Sequence, residues 1–240
     1  NIANAKLIIK AGADPGDLIL IDSKGILHSE REDVDELEIK HRWKHELAIK
    51  TNRERISGDF VKAFNNADVL ISASKPGPDL IKKEWISKMN KKAIVFTLAN
   101  PIPEIWPWEA KDAGAYIVAT GRSDFPNQVN NSLMFPSMFR GVLDVRAKGI
   151  TDDMVIAAAE ELAEFAEEKG LDMDYIIPDM TEWEVYPRVA ARVGEKAIKL
   201  GLARRRISMN EIYKGAVEII KRSRKLLSSL IEAKVIPLPS

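Results

Sequence analysis

The stretch KAIVFTLANPIPE, Lys92–Glu104, decides how this chain folds. Its first half, Ala93-Ile94-Val95-Phe96-Thr97-Leu98, is an apolar run rich in β-branched and aromatic residues, with no polar alternation. That is the pattern of a strand buried on both faces of a parallel sheet. The run stops at Asn100-Pro101. Proline has no N–H to give to a ladder and pushes the preceding residue out of the helical region, so the strand ends on an amide side chain. In open α/β sheets ligands bind outside the carboxyl ends of the strands, which makes Asn100 a candidate binding residue. Asn-Pro also simply opens turns.

Outward from this segment the same rhythm repeats. A helix over Asp59–Asn65 precedes a strand over Asp68–Ser72, the loop Ala73-Ser74-Lys75-Pro76-Gly77-Pro78 and a helix over Asp79–Met89. On the other side a short helix over Trp108–Ala113 leads to a strand over Ala115–Ala119 that ends in Thr120-Gly121. Strands alternating with helices predict a parallel, doubly wound sheet. Three of these strands end in small polar or glycine-containing turns, which let a cofactor lie against bare backbone.

Toward the beginning, Asn1–Gly12 reads as a helix with Ile2, Ala5, Leu7, Ile8 and Ile9 on its apolar face and Gly12 as its stop. A strand over Leu18–Ile21 follows and ends in Asp22. A dinucleotide-binding unit places an acid there, about 20 residues after a glycine loop, for the adenosine ribose. An acid in that place also serves ordinary turn chemistry. On the ribose reading, the first strand and its glycine loop are expected upstream of Asn1. Ser23–Asn52 is dense in charge. His41 and His45 stand four apart on a predicted helix, a spacing open to a metal, but with no third ligand nearby they read as part of a solvated face.

Composition narrows the function classes. The 240 residues carry 36 Lys plus Arg against 36 Asp plus Glu, so no net field recruits nucleic acid or a membrane surface. The absence of cysteine excludes disulfides and thiolate metal sites and suits a reducing, cytoplasmic setting. No apolar run approaches the roughly 20 residues of a membrane span. The charged fraction of 30% is of the kind found in thermophiles.

The last 90 residues read as helices: Thr151–Lys169, opened by the capping pattern Thr151-Asp152-Asp153, then Glu182–Leu200 and Met209–Lys234. Met154, Ile156, Ala157, Leu162 and Phe165 recur at helical spacing and suit a core or a subunit contact. Arg204-Arg205-Arg206 reads as a solvated basic loop, with an anionic ligand or partner chain as the other reading. The expected organisation is a dinucleotide-binding domain over residues 1–150 and a helical part over 151–240.

The segment GRSDFPNQVNNSLMFP, Gly121–Pro136, packs amides and hydroxyls between a strand end and an apolar helix. Asn130 and Asn131 can cap that helix, or hold a carboxylate at its N-terminus. With LANPIPE (Leu98–Glu104) it resembles the nicotinamide-binding domain of the malic enzymes, the oxaloacetate-decarboxylating malate dehydrogenases. IDSKG (Ile21–Gly25), SASKPG (Ser72–Gly77) and YIIP (Tyr175–Pro178) extend the likeness over nearly the whole chain. Ser137 departs from it, standing where many members have glycine.

The resemblance implies a Rossmann-like α/β fold with a helical C-terminal extension. It implies oxidation and decarboxylation of malate to pyruvate and CO₂, with reduction of NAD or NADP and help from Mg²⁺ or Mn²⁺. Asn100, Asn130 and Asn131 are then the substrate-binding residues. Asp22, Ser74, Lys75, Gly77, Asn100 and Asn131 are the cofactor-binding ones. Asp22 tilts the choice toward NAD, although Ser23 and Lys24 could accept a 2′-phosphate. The acid/base pair and the metal ligands are expected on an N-terminal catalytic domain of the same protein, so this stretch alone is expected to be inactive, and a homodimer is expected. A nucleotide-sensing module and an amino-acid dehydrogenase cofactor domain are the rival readings. The first has no need of an asparagine pair, and the second lacks FPNQVNNSLMFP.

Overall fold

The structure, a computed structural model, describes residues 1–78 and 80–237. It forms two compact units, one ending at Val129 and the other beginning at Asn130. This division lies upstream of the boundary at residue 150 read from the sequence, because Met138 and Val145 share a core with Val189 and Val193.

In the first unit, helix α1 (Ile2–Lys10) stops where Gly12 adopts φ +115°, a region closed to most side chains. Strands β1 (Ile21–Asp22) and β2 (Gly25–Ile26) then form a two-residue antiparallel hairpin. The sequence reading placed a strand over Leu18–Ile21, ending in Asp22. Instead the Asp22 carboxylate accepts the Lys24 N–H at 2.8 Å and turns the chain back. Leu18 and Leu20 pack on a small core made by Ala5, Leu27, Val34, Leu37 and Leu47. Helices α2 (Val34–Lys40) and α3 (Arg42–Lys50) close this core. His41 lies exposed at their junction, and among the described residues no cluster of metal-ligating side chains includes it or His45.

The main sheet has three parallel strands in the order β3 (Val69–Ser72), β4 (Ile94–Thr97), β5 (Ile117–Thr120). Helices α4 (Lys83–Ile86) and α5 (Pro107–Asp112) supply the crossovers. Val95 and Val118 pack against Phe64, Ile86, Ile105 and Ala110. The opposite face is only half-buried at Ile94 and Phe96, so β4 alternates where its sequence does not. An apolar run records what a strand can bury, not which of its faces is covered. The segment before the sheet is a 3₁₀ turn, Phe60–Phe64, capped by Asp59, rather than an α-helix. The helix expected from Asp79 is ordered as α4 four residues later, and Asp79 itself lies outside the described residues.

In the second unit α6 (Phe135–Asp144), α7 (Asp152–Lys169) and α9 (Met209–Glu232) surround α8 (Val185–Lys199). The α8 residues Val185, Val189, Ala190, Val193 and Ala197 are fully buried. The buried Glu161 of α7 accepts from Arg188 Nε at 2.5 Å and Arg192 Nε at 3.0 Å on α8. Helix α9 opens with a capping box in which Ser208 and Glu211 satisfy each other's backbone N–H groups. The cap expected at Thr151 forms in backbone only: Thr151 is the N-cap, but its buried hydroxyl has no hydrogen-bond partner. Arg204, Arg205 and Arg206 are exposed. Among the described residues no helix is long and apolar enough to cross a membrane.

Two helices approach closely at Gly141. A Cβ there would run into the Ala190 carbonyl and lie 3.0 Å from Val193 Cβ and 3.1 Å from Gly194 N. Alanine is the better helix former by about 1 kcal/mol, but overpacking against backbone costs about 1–3 kcal/mol. Gly141→Ala therefore lowers the melting temperature, whereas Gly215→Ala, which meets nothing within 4 Å, leaves it unchanged or raises it.

Candidate functional site

The three parallel strands end level, with Ser72, Thr97 and Thr120 in one row. Side chains tie together the segments that leave this row. Glu104 is the centre of these ties. Its fully buried carboxyl accepts, on one oxygen, Ser72 Oγ at 2.7 Å, Ser74 N–H at 2.7 Å and Ser74 Oγ at 3.1 Å. The other oxygen accepts Ala99 N–H at 3.2 Å. The backbone adds Gly77 N–H to Ile102 O at 3.3 Å and Ile81 N–H to Glu104 O at 3.1 Å. The loop after β3 and the turn after β4 are thus one bonded body. The sequence reading assigned Glu104 no role. A lone acid between prolines after an apolar run, with serines closing the preceding strand, is the signal that was there to use.

Asn100 follows Ala99 directly and is exposed, at a cis peptide bond to Pro101. Its amide lies over Gly121, where a Cβ would stand 3.0 Å from Asn100 Nδ2 and 3.0 Å from Leu98 O. The glycine after β5 therefore makes room for the asparagine after β4. Arg122 holds the same turn from the far side: Nη1 donates to Pro101 O at 2.5 Å, while Nε and Nη2 take Asp124 at 2.8 and 2.6 Å. In the loop after β3, Ser74 and Lys75 are exposed, and Gly77 has φ +149° with nothing within 4 Å of a Cβ position. Ser74, Gly77 and Asn100 are brought together through the 102–104 segment, and Lys75 lies on the same loop.

Asp22 sits apart from the sheet edge on the hairpin. Arg31 Nη1 and Nη2 reach its two oxygens at 2.9 Å each, Lys44 pairs with one of them, and Lys24 N–H takes the other at 2.8 Å. A carboxylate has about four lone-pair positions, and here protein donors fill them all. Burial opposes the charge, but the bonds from Arg31 and Lys44 outweigh it and hold Asp22 well below the usual carboxylate range. Arg31 also bonds Asp33 at 2.6 Å, and Lys24 bonds Asp33 at 2.9 Å.

In the second unit the two asparagines divide the roles that the sequence left open. Asn130 is the cap: its Oδ1 accepts Ser132 N–H at 2.9 Å and starts the 3₁₀ turn Asn131–Leu133. Asn131 is exposed. Ser137 is buried on α6 with its hydroxyl unpartnered. The loop from Tyr175 is gathered by Glu182, which accepts the Tyr175 hydroxyl at 2.9 Å and Asp179 N–H at 2.7 Å. Burial and that carboxylate push the Tyr175 phenol up to about 12.

A family model described as malic enzyme, NAD binding domain, matches residues 10–198. The chain belongs to this family. The crystal structure of the Entamoeba histolytica malic enzyme superposes with a TM-score of 0.94 at 48% identity, over 98% of this chain and 48% of that one. The NAD-dependent malic enzyme of Geobacillus stearothermophilus is 40% identical over 204 residues, 85% of this chain and 40% of its own length. The NADP-dependent malic enzyme of Halomonas elongata is 38% identical over 219 residues, 85% of this chain and 49% of its own. The chain spans about half or less of the length of these malic enzymes, and its α/β fold is their Rossmann-like one.

The Asp22 cluster makes a stability prediction with a defined sign. Its folded-state pKa is depressed, so its contribution is complete above the unfolded value of about 3.9 and is lost as pH falls below that toward the folded value. Asp22→Asn removes charge-assisted bonds and costs about 1–3 kcal/mol at neutral pH. Urea titrations between about pH 6 and about pH 3 should show the gap between wild type and variant narrowing on the acid side.

Proposed function

We propose that this chain is the cofactor-binding part of an enzyme that oxidises and decarboxylates malate to pyruvate and CO₂ while reducing NAD or NADP. The observation that carries the reading is Asn100: an exposed amide at the carboxyl end of the central strand, seated on a glycine and braced by Glu104 and Arg122. The strand-end row, the Ser74 loop and the open side of Gly77 suit a dinucleotide lying against backbone. When bound, the nicotinamide supplies the hydride acceptor.

The residues of this chain bind and orient. Asn100 and Asn131 donate amide N–H to substrate carboxylate oxygens without adding a charge that titrates. Asn130 spends its oxygen on the cap and keeps its N–H groups for the same purpose. Holding the hydride-donating carbon near the nicotinamide is a positional contribution. A divalent ion, Mg²⁺ or Mn²⁺, belongs to the same proposal. Among the described residues no cluster of His, Cys, Asp and Glu could hold it, and its ligands belong to the N-terminal catalytic domain. The acid/base groups on an N-terminal catalytic domain, a homodimeric assembly and a cytoplasmic location complete the reading.

Cofactor choice turns on Asp22 and Asp33. Asp22 and Asp33 already engage Arg31, Lys44 and Lys24 and leave one net positive charge, too few free donors for a 2′-phosphate, whereas a ribose hydroxyl needs only one donor displaced from Asp22. Full-length protein assayed with malate and Mn²⁺ should give the higher kcat/KM with NAD. A large preference for NADP removes Asp22 from the ribose, and no malate oxidation with either cofactor overturns the function.

The asparagines separate by variant. Asn100→Ala and Asn131→Ala each lose one or two charge-assisted bonds of about 1.5–3 kcal/mol, so kcat/KM for malate falls at least about tenfold with little change in melting temperature. Asn130→Ala loses its cap as well and destabilises the protein by about 1 kcal/mol. Normal malate kinetics in Asn131→Ala would end its substrate role.

A further inference from the structure

We propose that Glu104 is a positioning residue for malate oxidation, acting through Asn100. The inference rests on the malate reading above. Glu104 is fully buried and so touches neither substrate nor cofactor. Its partners explain what it does. One carboxyl oxygen binds the loop on the cofactor side, through Ser72 and Ser74. The other binds the Ala99 N–H, one residue before Asn100. A single planar group therefore sets the separation between the loop that meets the cofactor and the amide that meets the substrate. Main-chain bonds from Gly77 and Ile81 to the same 102–104 segment keep that group from swinging. No cation pairs with Glu104 among the described ion pairs, so its four bonds are all to serine hydroxyls and backbone N–H groups, whose places define the two loops. Buried polar groups with every bond made are rigid, and a partly broken set lets both ends drift.

Glu104→Gln keeps the shape and turns one acceptor into a donor, so either the serines or the Ala99 N–H faces a donor. In the full-length protein kcat/KM for malate should fall at least tenfold, and cofactor affinity should weaken by a smaller factor as the Ser74 loop loosens. The decisive arm is the double variant with Asn100→Ala. If Glu104 works through Asn100, the pair is no more than threefold worse than Asn100→Ala alone. Losses that multiply would overturn the proposal. Amide hydrogen exchange gives a readout without activity: Ser74 and Ala99 should exchange faster in Glu104→Gln, and unchanged exchange at both would also overturn it. If Glu104→Gln does not fold, Ser72→Ala removes a single donor and carries the same cycle. A wild type that fails to oxidise malate removes the function reading, and the exchange at Ser74 and Ala99 still judges Glu104 by itself.

Discussion

The first unit depends on one buried carboxyl. A parallel sheet fixes where its strands end but leaves the outgoing loops free, because each strand's last carbonyls and N–H groups have no ladder partner. Glu104 gathers two of these loops at once. With Ser72 and Ser74 on one oxygen and Ala99 on the other, it replaces water at a place where unmet backbone groups would be costly. Gly121 and Arg122 then hold the Asn100 turn from the neighbouring strand end. The site edge is rigid because polar groups are satisfied there, while the apolar packing lies beneath it at Val95, Val118 and Ile105.

The second unit is held in the opposite manner. Its core is almost wholly aliphatic, and small residues on α8 and α6 let the helices approach until backbone meets backbone at Gly141 and Ala190. The buried Glu161, paired with Arg188 and Arg192, adds a polar tie that joins α7 to α8. Such a buried ionic group adds little net stability over an apolar one of the same size, but it admits few alternative registers.

Several residues of the candidate site were readable in the chain because their signals are local. Asn100 before proline at the end of an apolar run needs only the identity of its neighbours. The alternation of helix and strand around it, and the helical spacing of Met154, Ala157, Leu162 and Phe165, are likewise matters of period. Local signals failed where two local readings competed. Leu18–Ile21 has the composition of a strand, yet Asp22 and Gly25 close a hairpin there. Thr151 stands at a helix start and makes no side-chain cap, while Asn130 does.

The sequence by itself determined the α/β class, the positions of three parallel strands and the exposed amide that ends the central one, and its motifs pointed to the malic enzyme family. Period, proline and short motifs act within a few residues, so they survive without a structure. Only the tertiary structure decided what Glu104 and Asp22 do. Ser72 and Glu104 are 32 residues apart and Asp22 and Arg31 are 9 apart, and the bonds between them form only after the loops have been folded back. A carboxyl group looks the same in a sequence whether it is solvated, salt-bridged or buried among serines. The difference lies in which donors converge on it, and convergence belongs to the fold.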